Sequence, residues 1–124
     1  MFRRDLKSWP IYTSDKPIKS IYKNVLYIGD AFYTFPPTMA QGASQAIESA
    51  NKIFELLINN HSDVQNEYFK NRIERTSLVN KRSKLNYFGF HISNPILKIL
   101  RNFFLKRLVK NKDFIKSYLG KIYK

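Results

Sequence analysis

Gly29-Asp30-Ala31-Phe32-Tyr33-Thr34-Phe35-Pro36-Pro37-Thr38-Met39-Ala40-Gln41-Gly42-Ala43-Ser44-Gln45-Ala46 is the stretch on which the reading of this chain turns. Gly29-Asp30 closes the short apolar run Val25-Leu26-Tyr27-Ile28, whose length and Val and Ile content suit a buried strand. The chain must turn sharply there, and the Asp30 carboxylate can accept a hydrogen bond from a polyol hydroxyl. Pro36-Pro37 stiffens the loop that follows, because each proline fixes φ. A helix then opens on Ala40-Gln41-Gly42-Ala43, residues too small to obstruct its first turn. The N–H groups of that turn have no intrahelical partners and attract an acceptor or anion. The alternative is strand, loop and helix with no ligand, which Gly29-Asp30 by itself would not distinguish.

Downstream, Ala43, Ala46, Ile47, Ala50, Ile53, Phe54 and Leu57 recur at steps of three and four. This predicts a helix from about Met39 to Asn59 with that set as its buried face. The Ala-rich first half of the face allows a close approach by a backbone or a ligand. Ser62-Asp63-Val64-Gln65 has the form of a capping box. It predicts a second helix from about Asp63 to Asn80, with Val64, Tyr68, Phe69 and Ile73 inward. Pro95 precedes a third helical stretch, Ile96 to Lys110, and a short last segment spans Phe114 to Tyr123. Upstream, residues 1–23 read as irregular, broken by Pro10 and Pro17, with Trp9 and Tyr12 expected to pack against the rest.

Charge is unevenly placed. The net charge is +13, yet residues 1–80 hold 10 Lys or Arg against 8 Asp or Glu. Residues 81–124 hold 12 against Asp113 alone, so the excess is a property of the tail. Three readings of the 96–110 helix stay open: packing on its own protein with solvated cations, a surface attracted to anionic lipid, or nucleic-acid binding. No RNP-type or zinc-finger pattern supports the last, and no nucleic-acid partner is expected. There are no cysteines, hence no disulfides and no thiolate metal site. His61 and His91 stand far apart and read as surface or packing residues, so no metal is expected. No apolar run approaches the ~20 residues needed to span a bilayer, and the start does not read as a signal peptide. The expected location is cytoplasmic, with peripheral membrane contact through residues 96–110 as an addition.

The stretch from Gly29 to Glu48 resembles the second FAD-binding motif of the aromatic-ring hydroxylase flavoproteins. That group includes para-hydroxybenzoate hydroxylase, salicylate hydroxylase and the ubiquinone-biosynthesis hydroxylases. Gly29, Asp30 and Ala31 match its opening, Pro37 its proline, and Ala40-Gln41-Gly42-Ala43 the salicylate-hydroxylase form of its turn. Gln45-Ala46-Ile47-Glu48 matches the helix beyond. Trp9-Pro10-Ile11-Tyr12, Tyr68 to Arg82, and Leu119-Gly120-Lys121-Ile122-Tyr123 resemble less specific elements before and after the motif. This sequence departs from the pattern at Phe32, Tyr33, Met39 and Ser49, where the family has Ala, His, often Gly and often Asp.

The resemblance implies an α/β fragment, mostly helical. One strand, a Pro-rich loop and a long helix would come from a Rossmann-like FAD-binding domain, with C-terminal helices after them. Residues 1–60 would form the end of the FAD-binding domain and residues 61–124 a basic helical region. Asp30 would accept from a ribityl hydroxyl of FAD. Gly42, Ala43 and Ser44 would aim N–H groups at the pyrimidine end of the isoalloxazine, and Pro37 would lie beside the ring. No catalytic side chain is implied. The activity implied is hydroxylation of an aromatic or quinone-precursor substrate with NAD(P)H and O2. No Gly-x-Gly-x-x-Gly follows a strand, so the adenine and pyrophosphate cradle is absent from this sequence. The expectation is a fragment, inactive alone, with Met1 read as an internal methionine of a longer chain. The rival is a non-enzymatic basic module that holds a membrane or a polyanion.

Overall fold

The computed structural model describes residues 7–120. Met1 and residues 121–123, which two of the expectations above concern, lie outside them. Four helices account for most of the described chain: α1, Gly42–Ile58; α2, Val64–Phe90; α3, Pro95–Lys110; and α4, Lys112–Gly120. Two 3₁₀ turns, Gly29–Ala31 and Pro37–Met39, precede α1. Contacts divide the chain into two units, with the boundary between Ser83 and Lys84.

In the first unit no strand forms among the described residues, contrary to the expectation for Val25 to Ile28. The backbone is extended at Ile28, but a strand is defined by its ladder, and no neighbouring strand among the described residues supplies one. Side chains of α2 serve the segment instead. Tyr68 Oη donates to the Tyr27 carbonyl at 2.7 Å, and Gln65 Nε2 reaches the carbonyls of Ser20, Tyr22 and Val25. The Rossmann-like layer therefore has no counterpart in the described residues. Residues 7–23 form no regular element, as expected, but Trp9 and Tyr12 are largely exposed rather than packed.

The helix expected from about Met39 begins at Gly42. Ala40 adopts a left-handed conformation (φ 52°), which separates the Pro37–Met39 turn from α1. α2 does not use the capping box. Asp63, not Ser62, accepts from the Asn66 N–H, and Gln65 points to the loop before α1. α2 also continues ten residues past Asn80, through Lys81-Arg82-Ser83-Lys84-Leu85, which favour helix individually for the most part but show no apolar period.

The largest correction concerns the orientation of α1. Its buried residues are Gln45, Ser49 and Leu56, while Ile47 and Phe54 are 70% and 62% exposed. Of the expected inward set, only Ala46 and Ile53 are even partly buried. The polar face packs because α2 offers it a matching polar stripe. Tyr68, Arg72, Thr76, Val79 and Ser83 recur at three or four residues and are all buried. Arg72 donates to Gln45 Oε1 at 2.7 Å and to Glu48 at 3.1 Å. Arg75 grips both oxygens of Glu48 at 2.9 Å in a forked pair. A small apolar cluster adjoins this network, with Phe32, Tyr33, Leu56 and Tyr68 at its centre. Phe32 meets the rings of Tyr68 and Phe69 edge-on at 5.5 and 6.0 Å.

In the second unit, Asn94 caps α3 by accepting from the Ile96 and Leu97 N–H groups, with Pro95 in the first turn. Asn111 accepts from the Phe114 N–H at the start of α4. Arg101 donates to the Gly89 carbonyl and Tyr118 to Asn86. Among the described residues no helix is long and apolar enough to cross a membrane.

Burial works against the Glu48 carboxylate, but hydrogen bonds from Arg75 and Arg72, and their charges, outweigh it and hold its pKa below the ordinary 4.5. A depressed carboxylate stabilises the fold fully above its unfolded pKa and loses that contribution as pH falls through the folded value. Stability should therefore fall below about pH 4.5, measured by urea unfolding. Glu48→Gln should cost about 2 kcal/mol near neutral pH and flatten this acid limb. An equal acid loss in parent and variant would show that the clamp does not govern it.

Candidate functional site

The site is built on the turn between the Tyr22–Ile28 segment and α1. Gly29 sits at φ 55°, a left-handed conformation that L side chains rarely adopt. Its carbonyl accepts from the N–H groups of both Phe32 and Tyr33 at 3.0 Å, which closes the turn. A Cβ at this position would stand 3.3 Å from the Ala46 Cβ. The turn thus lies directly on α1, and the small side chain of Ala46 permits the approach. The close contact expected of the Ala-rich face is met at this one residue.

Asp30 follows, exposed on the turn, its backbone carbonyl accepting from Thr34 Oγ1. Phe32 and Tyr33, the two bulky departures from the motif, are both buried and anchor the turn from below. Burial first, and the charge of Asp15 second, raise the Tyr33 pKa above its ordinary 10.0. Tyr33 is therefore a neutral packing residue at neutral pH, unlike a histidine, which titrates there. Thr38 Oγ1 donates to the Ser83 carbonyl at 2.7 Å and pins the proline loop to α2.

Beyond the loop, Pro37 and Ala40 are exposed. Gln41 is buried, and its Oε1 faces Gln45 Nε2 at 3.4 Å, so its side chain serves the α1–α2 network. No side chain caps the first turn of α1, and a Cβ added at Gly42 would meet nothing within 4 Å. Gly42 and Ala43 are exposed and Ser44 is half-buried. The fold thus brings Gly29 and Asp30 against the helix that Gly42, Ala43 and Ser44 open. An accessible carboxylate and a bare helix start match the donor and acceptor needs of a polyol carrying an electron-rich ring. No Gly-rich turn after a strand, of the kind that cradles a pyrophosphate, occurs among the described residues.

A larger cleft, of about 800 Å³, lies elsewhere in the first unit, lined by Lys23, Leu26, Ile53, Leu57 and Asp63 among others. Ile53 and Leu57 lie at least eleven residues along α1 from Gly42, about 16 Å or more at 1.5 Å per residue. The cleft thus lies away from the start of α1, although Leu26, three residues before Gly29, is part of its lining. Among the described residues no group of three or more His, Asp or Glu side chains could hold a metal ion. The residues that sequence reasoning missed are Gln45, Glu48, Arg72 and Arg75, which hold α1 in place. The available signal was a polar stripe on α2 spaced to face the polar side of α1.

No family model matches the chain, and no solved structure does. Two curated proteins do. A FAD-dependent monooxygenase, ntnA, of a Nectria species is 27% identical over 115 residues, 84% of this chain and 15% of that protein. The 6-hydroxynicotinate 3-monooxygenase of Bordetella bronchiseptica is 38% identical over 96 residues, 73% of this chain and 25% of that protein. The chain is a weak homologue of these monooxygenases, which supports a place in a flavin monooxygenase family. It spans a quarter or less of the length of the curated relatives it matches.

Gly29→Ala should destabilise the chain by about 1–2 kcal/mol, from the left-handed backbone alone. Crowding against Ala46 adds to this; in a double-mutant cycle with Ala46→Gly, which itself costs about 1 kcal/mol inside a helix, only that added part should appear as the coupling. Urea unfolding reads both, and a neutral Gly29→Ala would refute the turn geometry.

Proposed function

We propose that this chain supplies one part of the FAD site of a flavin-dependent monooxygenase, and that the polypeptide holding the adenine and pyrophosphate lies outside these residues. The observation that carries the reading is the exposed Asp30 on a turn that Gly29 holds against α1, whose first turn is uncapped. Asp30 accepts a hydrogen bond from a ribityl hydroxyl. The N–H groups of Gly42, Ala43 and Ser44 face the pyrimidine end of the ring, where the helix terminus favours negative charge on the reduced flavin. Pro37 packs beside the ring, while Ala40 and Gln41 set the bend that aims the helix. The flavin itself supplies the redox chemistry that inserts oxygen, with NAD(P)H as reductant and O2 as oxidant. The substrate class is an aromatic or quinone-precursor ring, bound by parts of the enzyme beyond this chain. On this reading residues 1–60 carry the flavin contacts, residues 61–124 form the basic helical region, and the chain alone is inactive.

Two outcomes follow. Purified by itself, the chain should be colourless, and a yellow preparation with near-stoichiometric flavin would contradict the division of the site. Placed in the Bordetella monooxygenase in exchange for the matching segment, it should complete a FAD site. In that hybrid Asp30→Ala should weaken FAD binding about 10- to 150-fold, the worth of a charge-assisted hydrogen bond. Undiminished affinity in a flavin titration would remove Asp30 from the cofactor.

A further inference from the structure

We propose that the second unit holds a binding site for a small amphipathic carboxylate, in its simplest form a fatty acid. The inference rests on that unit alone and is independent of the flavin reading. The end of α2, past the boundary between the units, joins α3 and α4 in lining a hollow of about 500 Å³. Sites for small molecules span about 300–1,000 Å³, so the hollow has room for one. Its walls are mostly apolar, with Leu85 and Phe88 from α2, Leu108 from α3 and Phe114 from α4. Leu108 and Phe114 are half-buried, but Leu85 and Phe88 are 59% and 68% exposed, so much apolar wall faces water.

One charged group lies in this wall. Arg101 is half-buried, and neutral acceptors fix its guanidinium. Nη1 donates to the Gly89 carbonyl at 2.8 Å, and Nε and Nη2 donate to Asn102 Oδ1 at 3.1 and 2.9 Å. Each Nη keeps a further N–H. No carboxylate among the described residues pairs with Arg101, and Asp113 is the sole acid of residues 81–124. The other polar side chains of the wall, Asn86 and Tyr118, bond each other at 3.0 Å. These features select the occupant. A neutral apolar molecule would cover the walls but leave the charge of Arg101 unpaired beside it. A nucleic-acid backbone would pair with Arg101 but leave Leu85 and Phe88 in water. A second copy would bring the same excess of cations against this one. An apolar body that ends in a carboxylate meets both demands, because the body takes the walls and the carboxylate accepts from both Nη atoms.

Calorimetric titration of the full chain with dodecanoate tests this, with dodecanol as the neutral counterpart. Dodecanoate should bind saturably, one per chain, and about tenfold or more tighter than dodecanol. Arg101→Gln should abolish that preference. Arg101 also holds the Gly89 carbonyl, so a second variant leaves it in place. A Cβ at Gly89 meets nothing within 4 Å, and leucine suits a helix better than glycine, so Gly89→Leu keeps the fold while its side chain takes room in the hollow. It should weaken dodecanoate binding about tenfold or more. Lys98→Gln, exposed on α3 and outside the wall, should leave affinity unchanged. Dodecanol bound as tightly as dodecanoate, or full affinity in Gly89→Leu, would overturn the site. So would a loss in Lys98→Gln as large as in Arg101→Gln, which would mark a general attraction to the basic tail. Self-association with no dodecanoate binding would assign the hollow to a second copy.

Discussion

The paired arginines Arg72 and Arg75, closed on Gln45 and Glu48, are the interaction on which the first unit depends. Arg72 is almost fully buried, and burying a guanidinium is costly unless its charge is paired; Nη1 and Nη2 bond to Glu48 and Gln45, while Nε is left without a partner. Its partners lie one turn apart on α1, so satisfying Arg72 fixes the rotation of α1 about its own axis. Once that rotation is set, Ser49 and Leu56 are carried inward, and Ile47 and Phe54 are carried out to solvent. Ala46 comes to rest under Gly29, and the turn bearing Asp30 is laid against the helix.

That orientation joins the two findings about function. The helix start is bare, and the apolar side of α1 is left uncovered. Fully burying a side chain of this size is worth about 1.5–3 kcal/mol, so leaving Ile47, Phe54 and Leu57 in water forgoes several kcal/mol. The chain spans a quarter or less of the length of the curated relatives it matches. Val25 and Ile28 are also exposed and have no sheet to enter among the described residues, although Gln65 and Tyr68 serve carbonyls of that segment.

Much of this was legible in the sequence, but unevenly. The first helix was visible from its period and the second from polar signals at its start, though not from the capping box itself, and Asn59, Pro95 and the 96–110 stretch marked real ends or starts. The motif residues Gly29 and Asp30 fell on a tight turn, as their types demand. The buried face of α1 was misread because apolar periodicity shows which face prefers burial, not whether anything is there to bury it. The polar face won through Arg72 and Arg75, twenty-four and twenty-seven residues beyond Glu48, and no local pattern reports such a pair. The strand failed for the same reason, because pairing partners are not a local property. Ser62 was preferred over Asp63 as a cap because the capping-box pattern favoured it, whereas Gln65 was needed by the loop carbonyls.

The rotation of α1 is open to direct measurement because the chain has no cysteine of its own. Single substitutions Ile47→Cys, Phe54→Cys and Ser49→Cys can be compared by their rates of alkylation in the folded chain. The account predicts that thiols at 47 and 54 react nearly as fast as a free cysteine, and that the thiol at 49 is protected until the chain is unfolded. Protection at 47 and 54 with rapid reaction at 49 would contradict it, and would return α1 to the orientation that its apolar period suggested.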